Sequence, residues 1–245
     1  MWRRVGLFWV VLSLLWCGLL LAEQPGEVFQ VSTLDALSLG IFQGWLSFSH
    51  LRQHGDFGVG TFDGLDGELV ALDGSFYQIR ADGSVSRVEN TNTTPFAVVT
   101  NFHASRTAVI RGPAARLQVL AAIDQTLESA NYFYALKVHG DFISMTARSV
   151  PKQVPPYPTL AEAIAKQSIF PLRNVRGTLV GFRSPAFVNG INQPGYHFHF
   201  ISDDQRSGGH VLDFEILDAT IETETIRQHS TLLPDNQAFR LAPLP

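Results

Sequence analysis

Cysteine is almost missing from this chain. The single cysteine among 245 residues, Cys17, falls within the first 24. Once that segment is set aside, no thiol remains, which excludes disulfides, thiolate metal sites and a cysteine nucleophile. Charge is sparse as well. Only 16% of residues are charged, the formal net charge is −4, and no basic tract or stripe occurs. Nucleic acid is therefore excluded as a partner class. With 45% hydrophobic residues, intrinsic disorder is excluded too.

The long uncharged run is confined to the start. Arg3 and Arg4 precede an apolar stretch from Val5 to Ala22. Residues 1–24 read as a secretory signal peptide or, left uncleaved, as a membrane anchor. The expected location is exported, periplasmic or extracellular, with membrane contact only through an uncleaved leader.

Beyond the leader the chain reads mainly as strands. The expected ones are 28–31, 68–72, 75–79, 97–102, 132–138, 142–148, 175–183, 195–201, 210–217 and 220–226. The glycine- and aspartate-rich segment 55–67 reads as a loop with a strand inside it. Asp73-Gly74 joins the second and third strands as a hairpin turn. Helices are expected at 35–42, with Thr33 or Asp35 as cap, and at 117–129. A third begins at Thr159-Leu160-Ala161-Glu162, which has the capping-box pattern. Four prolines within residues 151–158 rule out regular structure there. The expected organisation is a half at 25–150, a Pro-rich connection at 151–158 and a half at 159–245. The fold class is α+β, with mainly antiparallel or mixed β-sheets in two packed halves and a few short helices.

Histidine carries the chemistry. Gly195-Tyr196-His197-Phe198-His199-Phe200 sets two histidines at i and i+2. On a strand they share a face, roughly 7 Å apart along the backbone. Turn residues fill Ser202 to Gly209, so the chain doubles back and His210 opens the return strand. Three neutral imidazoles suit Zn²⁺ and leave a coordination position open, as a catalytic site requires. Other divalent ions also accept imidazole. His50 and His54 are spaced for one helical face and form a rival pair. His103, His139 and His229 are isolated.

Two further residues stand out. Arg148 ends a strand face shared with Ser144 and Thr146, where a guanidinium can grip a carboxylate. Spacing alone does not separate that role from a surface arginine. Glu68 opens a strand on the side of Val70 and Leu72, where an apolar setting raises a carboxyl pKa and suits an acid. A solvated strand end fits the same spacing. Asp213 and Glu215, on an unbroken strand, face away from His210.

Several motifs taken together carry a resemblance. They are Gly58-Val59-Gly60-Thr61-Phe62, Gly67-Glu68-Leu69-Val70, Ala147-Arg148-Ser149-Val150-Pro151, Gly177-Thr178-Leu179-Val180-Gly181-Phe182, and Pro194 to Phe200 followed by Gly208-Gly209-His210-Val211. Over residues 28 to 230 the chain resembles the α-acetolactate decarboxylase family. The resemblance implies conversion of 2-acetolactate, a small-molecule substrate, to acetoin and CO₂. It implies zinc on His197, His199 and His210, with Arg148, Glu68 and Thr61 as catalytic residues. Arg148 would orient the carboxylate and Glu68 would deliver the proton. It also makes a homodimer an expectation. One departure stands against the pattern. The family carries a glutamate near its C-terminus that reaches the site, whereas Thr231 to Pro245 holds none and Asp235 is its only acid. Outside the resemblance, the three histidines alone also fit a zinc hydrolase or hydratase, or a non-catalytic metal-binding β protein.

Overall fold

The computed structural model describes residues 26–245. The leader expected at 1–24 lies outside the described residues. In chain order the elements are β1 (Glu27–Val31), α1 (Leu34–Ser38), β2 (Leu46–Ser47), α2 (Phe48–Leu51), β3 (Phe57–Thr61), β4 (Glu68–Leu72), β5 (Ser75–Ile79), β6 (Val85–Arg87), β7 (Thr93–Thr94), β8 (Ala97–Thr100), β9 (Arg106–Ala115), α3 (Arg116–Asp124), β10 (Phe133–Ser149), α4 (Leu160–Ile164), β11 (Ser168–Ser184), β12 (Gly195–Ser202), β13 (Gly208–Ile226), β14 (Gln228–Leu232) and α5 (Gln237–Arg240).

Two sheets dominate, and the class is the α+β expected. The first has seven strands in the order β14-β1-β8-β3-β4-β5-β6. It is antiparallel except where β14 runs parallel to β1. The second has the order β10-β11-β12-β13-β9, and β13 also pairs with β10. That extra pairing closes β10, β11, β12 and β13 on themselves.

The inner strands of both sheets are covered on both faces, which explains their nearly continuous apolar runs. Val28, Val59, Val70 and Val98 of the first sheet meet Phe133, Ala135, Val180 and Phe182 of the second in one core. Their alternate neighbours Phe29, Ala71 and Val99 turn to the far side, against Phe48 and Leu51 of α2. In the second sheet Tyr134, Leu136, Leu179, Phe198 and Phe200 form another core, capped by Val119, Leu120 and Ile123 of α3. The period-two pattern of each strand thus feeds two cores at once.

Local signals held where they were chemical. Thr33 caps α1, its hydroxyl accepting from the Ala36 amide. Thr159 and Glu162 form the reciprocal box at the start of α4.

Long-range features departed from expectation. The strands expected at 132–138 and 142–148 are one, β10, and those at 210–217 and 220–226 are one, β13. The helix expected at 117–129 stops at Asp124. The sheet boundary falls between β8 and β9, not at residues 151–158, because β10 completes the second sheet and β14 returns to the first. The Pro-rich segment follows β10 and lies along the helical turn at Asp63–Leu65, where the Gln153 backbone N–H donates to the Gly64 carbonyl at 2.6 Å.

Candidate metal centre

The site grows from strand register. Arg148 on β10 is paired with His210 on β13, and His210 is paired with His199 on β12. Cross-strand partners share a face, so all three side chains point the same way. His197, two residues before His199, joins them. The Gly208-Gly209 pair makes this crossing possible. A Cβ on Gly208 would lie 2.4 Å from the Phe200 carbonyl oxygen, and one on Gly209 would lie 2.4 Å from that of Arg148. Gly209 also sits at φ 137°, which a side chain disfavours.

The first sheet supplies the opposite wall through β4. Glu68 lies beside Thr61 of β3 in the ladder. The Arg148 guanidinium donates from Nη1 to Glu68 Oε1 at 2.7 Å. Glu68 Oε2 lies 3.5 Å from His199 Nε2. The next residue, Leu69, accepts a hydrogen bond from His199 Nδ1 at 2.6 Å. A carbonyl only accepts, so Nδ1 carries the proton and Nε2 keeps its lone pair. Thr61 Oγ1 donates to the Gly67 carbonyl at 2.7 Å, pinning the turn that presents Glu68.

The histidine nitrogens converge. One ligand atom from each of His197, His199 and His210 falls within 4.8 Å of the others. His197 Nε2 and His210 Nδ1 are 3.2 Å apart. Nitrogens on a tetrahedral Zn²⁺, each about 2.0–2.1 Å from the ion, stand roughly 3.3 Å apart. Burial, assisted by the Arg148 charge, lowers His197 to about 4. Burial holds His199 and His210 well below the ordinary histidine value, with His197 and Arg148 adding to the effect. All three are therefore neutral at neutral pH, the form that binds metal. The donor set, tautomer and spacing fit a divalent ion.

Burial pushes the Glu68 carboxyl upward, against the opposing pull of Arg148. A carboxyl of this kind can hold a proton for delivery. Around these groups is a cavity of about 340 Å³. Leu34 and Leu37 of α1 and Leu160 and Ile164 of α4 line it, with Phe96 and Val150. This apolar lining gives the polar cluster a low-dielectric setting for a small ligand.

The structure thus brings together every expected site residue, with Thr61 beside Glu68. Sequence reasoning missed Arg116, Tyr196 and Gln193, which also line the cavity. Tyr196 lies within the Pro194 to Phe200 motif and Gln193 beside it, whereas Arg116 has no signal in the sequence. A bulge between the Ala147–Val211 and Thr146–Asp213 pairs breaks β13's alternation. Asp213 nevertheless stays exposed, and neither it nor Glu215 lines the cavity. The rival pair does meet, with His50 and His54 Nε2 atoms 3.2 Å apart on the surface. No third ligand joins them among the described residues. Asp235 pairs with Arg240 in the exposed tail, and no described residue after Val211 lines the cavity.

Fold and cavity together define a small-molecule enzyme with its polar groups between two sheets. The family model for alpha-acetolactate decarboxylase matches residues 28–245. An alpha-acetolactate decarboxylase from Methanosarcina mazei is 52% identical over 77% of this chain and 66% of its own length. One from Methylococcus capsulatus is 42% identical over 89% of this chain and 84% of its own. The crystal structure of the Bacillus subtilis alpha-acetolactate decarboxylase superposes with a TM-score of 0.88 at 40% identity, covering 89% of this chain and 93% of that one. The chain belongs to the alpha-acetolactate decarboxylase family and is a decarboxylase, a lyase. This membership sets the hydrolase, hydratase and non-catalytic readings aside.

Proposed function

We propose that this chain converts 2-acetolactate to acetoin and CO₂, using Zn²⁺ held by His197, His199 and His210. The observation that carries the reading is the meeting, in one cavity of a family member, of three neutral imidazoles with the Glu68–Arg148 pair. A divalent ion bound there supplies Lewis-acid stabilisation of the charge that develops as CO₂ leaves.

The chain's own residues do the rest. His199 is fixed by the Leu69 carbonyl, so its Nε2 faces the centre without rotating. Arg148, tied to Glu68, offers its remaining N–H donors to the substrate oxygens. The bond from the substituted carbon to its carboxylate breaks, and the electron pair moves toward the adjacent carbonyl oxygen. The resulting enediolate accepts a proton at carbon from Glu68, which lies on one side of the cavity and so fixes the hand of the acetoin. Leu34, Leu37, Leu160 and Ile164 exclude water that would compete as proton donor. Thr61 keeps the Gly67–Glu68 backbone in place. One carboxyl handles the one proton of this scheme. Export of the mature enzyme, from the apolar leader, belongs to the same proposal.

The test is direct. Purified protein given 2-acetolactate should release acetoin and CO₂ in equal amounts, and it should leave simple esters untouched. Ester hydrolysis without acetoin would refute the reading.

A further inference from the structure

The substrate proposed above is an anion, and the charge balance of the cavity bears on how it is drawn in. Arg148 is hydrogen-bonded to Glu68 at 2.7 Å, with both side chains almost fully enclosed. One other cationic side chain lines the cavity, Arg116, the first residue of α3. It is half-buried, and it has no acidic partner among the described residues, unlike Arg148, the other arginine that lines the cavity.

Arg116 is also held in place. Val119, Leu120 and Ile123 bury the inner face of α3 in the second core. The Tyr196 hydroxyl donates to Asp124 Oδ1 at 2.7 Å, which ties the far end of the helix to β12 one residue before His197. The start of α3 is thereby fixed against the cavity, and the helix is not free to swing its arginine away.

We infer that Arg116 is the positioning residue that recruits the carboxylate of the incoming substrate, while Arg148 serves the reacting centre in its pair with Glu68. The division has a chemical reason. A group that gripped the carboxylate as strongly in the bound substrate as in solution-facing encounter would oppose its departure as neutral CO₂. A half-exposed arginine attracts the anion over a distance and releases it cheaply, whereas Arg148 is enclosed and already engaged by Glu68. The recruited ligand class is a small 2-hydroxy carboxylate. This inference rests on the proposed reaction for its substrate, and on the cavity lining for its residue.

The experiment compares wild type, Arg116→Gln and Arg116→Lys, each zinc-loaded and each with metal content and thermal unfolding measured. Arg116→Gln should raise KM for 2-acetolactate about tenfold with kcat changed by less than about twofold. It should weaken inhibition by 2-hydroxyisobutyrate by a similar factor and leave inhibition by the neutral product acetoin unchanged. The fall in kcat/KM between ~0.05 and ~0.5 M salt should flatten in Arg116→Gln and return in Arg116→Lys. An unchanged KM and salt response in Arg116→Gln would overturn the inference, as would equal weakening toward acetoin and the carboxylate. If wild type makes no acetoin, the reaction is wrong, but binding of 2-hydroxyisobutyrate by calorimetry still reads the role of Arg116.

Discussion

Arg148 Nη1 stands 2.7 Å from Glu68 Oε1, and that contact bridges β10 of one sheet to β4 of the other. Both side chains are enclosed, at 12% and 8% exposure. Removing the arginine leaves the buried carboxyl without its hydrogen-bond donor. Arg148→Ala should therefore destabilise the protein by about 1–3 kcal/mol, measured by urea unfolding. Glu68→Gln, which keeps shape and a hydrogen-bonding group, should cost clearly less.

Glu68→Gln separates stability from chemistry. It removes the transferable proton but leaves the cavity filled. Acetoin formation should fall by about 10²–10⁴, while zinc content stays at the wild-type level. Full turnover in a zinc-loaded variant would remove Glu68 from the proton step.

His197→Ala and His199→Ala should both lose the metal, read by elemental analysis after dialysis. They should differ in stability. His199 also satisfies the buried Leu69 carbonyl, so its loss should cost a further ~1–3 kcal/mol in the metal-free state. Equal stability of the two metal-free variants would contradict the tautomer assigned to His199.

The metal-free wild type should respond to pH in a stated direction. His197 is lowered from 6.5 to about 4 by burial, with Arg148 adding to it. Above pH 6.5 the imidazole is neutral folded and unfolded, and its contribution is full. As pH falls from 6.5 toward 4, the unfolded chain takes up a proton that the folded chain does not, so stability is lost across that window. His199 and His210, lowered in the same direction, steepen the loss. Thermal unfolding of the apo protein at a series of pH values checks this. A midpoint that rises on acidification through that window would contradict it.

How much of this could be read from the residues depended on range. The His-x-His pair, the turn and His210 are close in sequence, so alternation and turn chemistry placed them correctly. Glu68 and Arg148 are 80 residues apart, and spacing could not bring them together; strand position singled out each, and only the motif resemblance chose the catalytic reading. The gap between the strands expected at 132–138 and 142–148 holds Gly140, but β10 continues through it. A Cβ there would lie 2.1 Å from the Asp218 carbonyl oxygen, so the glycine marks close strand approach and not a turn. The edge strand β9 escaped notice because it is mostly exposed and contains Gly112 and Pro113, which mask its alternation. Arg116 escaped because a lone arginine after that strand carries no pattern, and its meaning depends on a cavity formed by distant elements.

The most direct test of the central claim is acetoin production from 2-acetolactate by one preparation in three states: as purified, stripped by chelator, and restored with zinc. The three-histidine account predicts activity, loss of activity, and recovery that saturates at one zinc per chain. Undiminished acetoin formation by protein shown to be metal-free would contradict it.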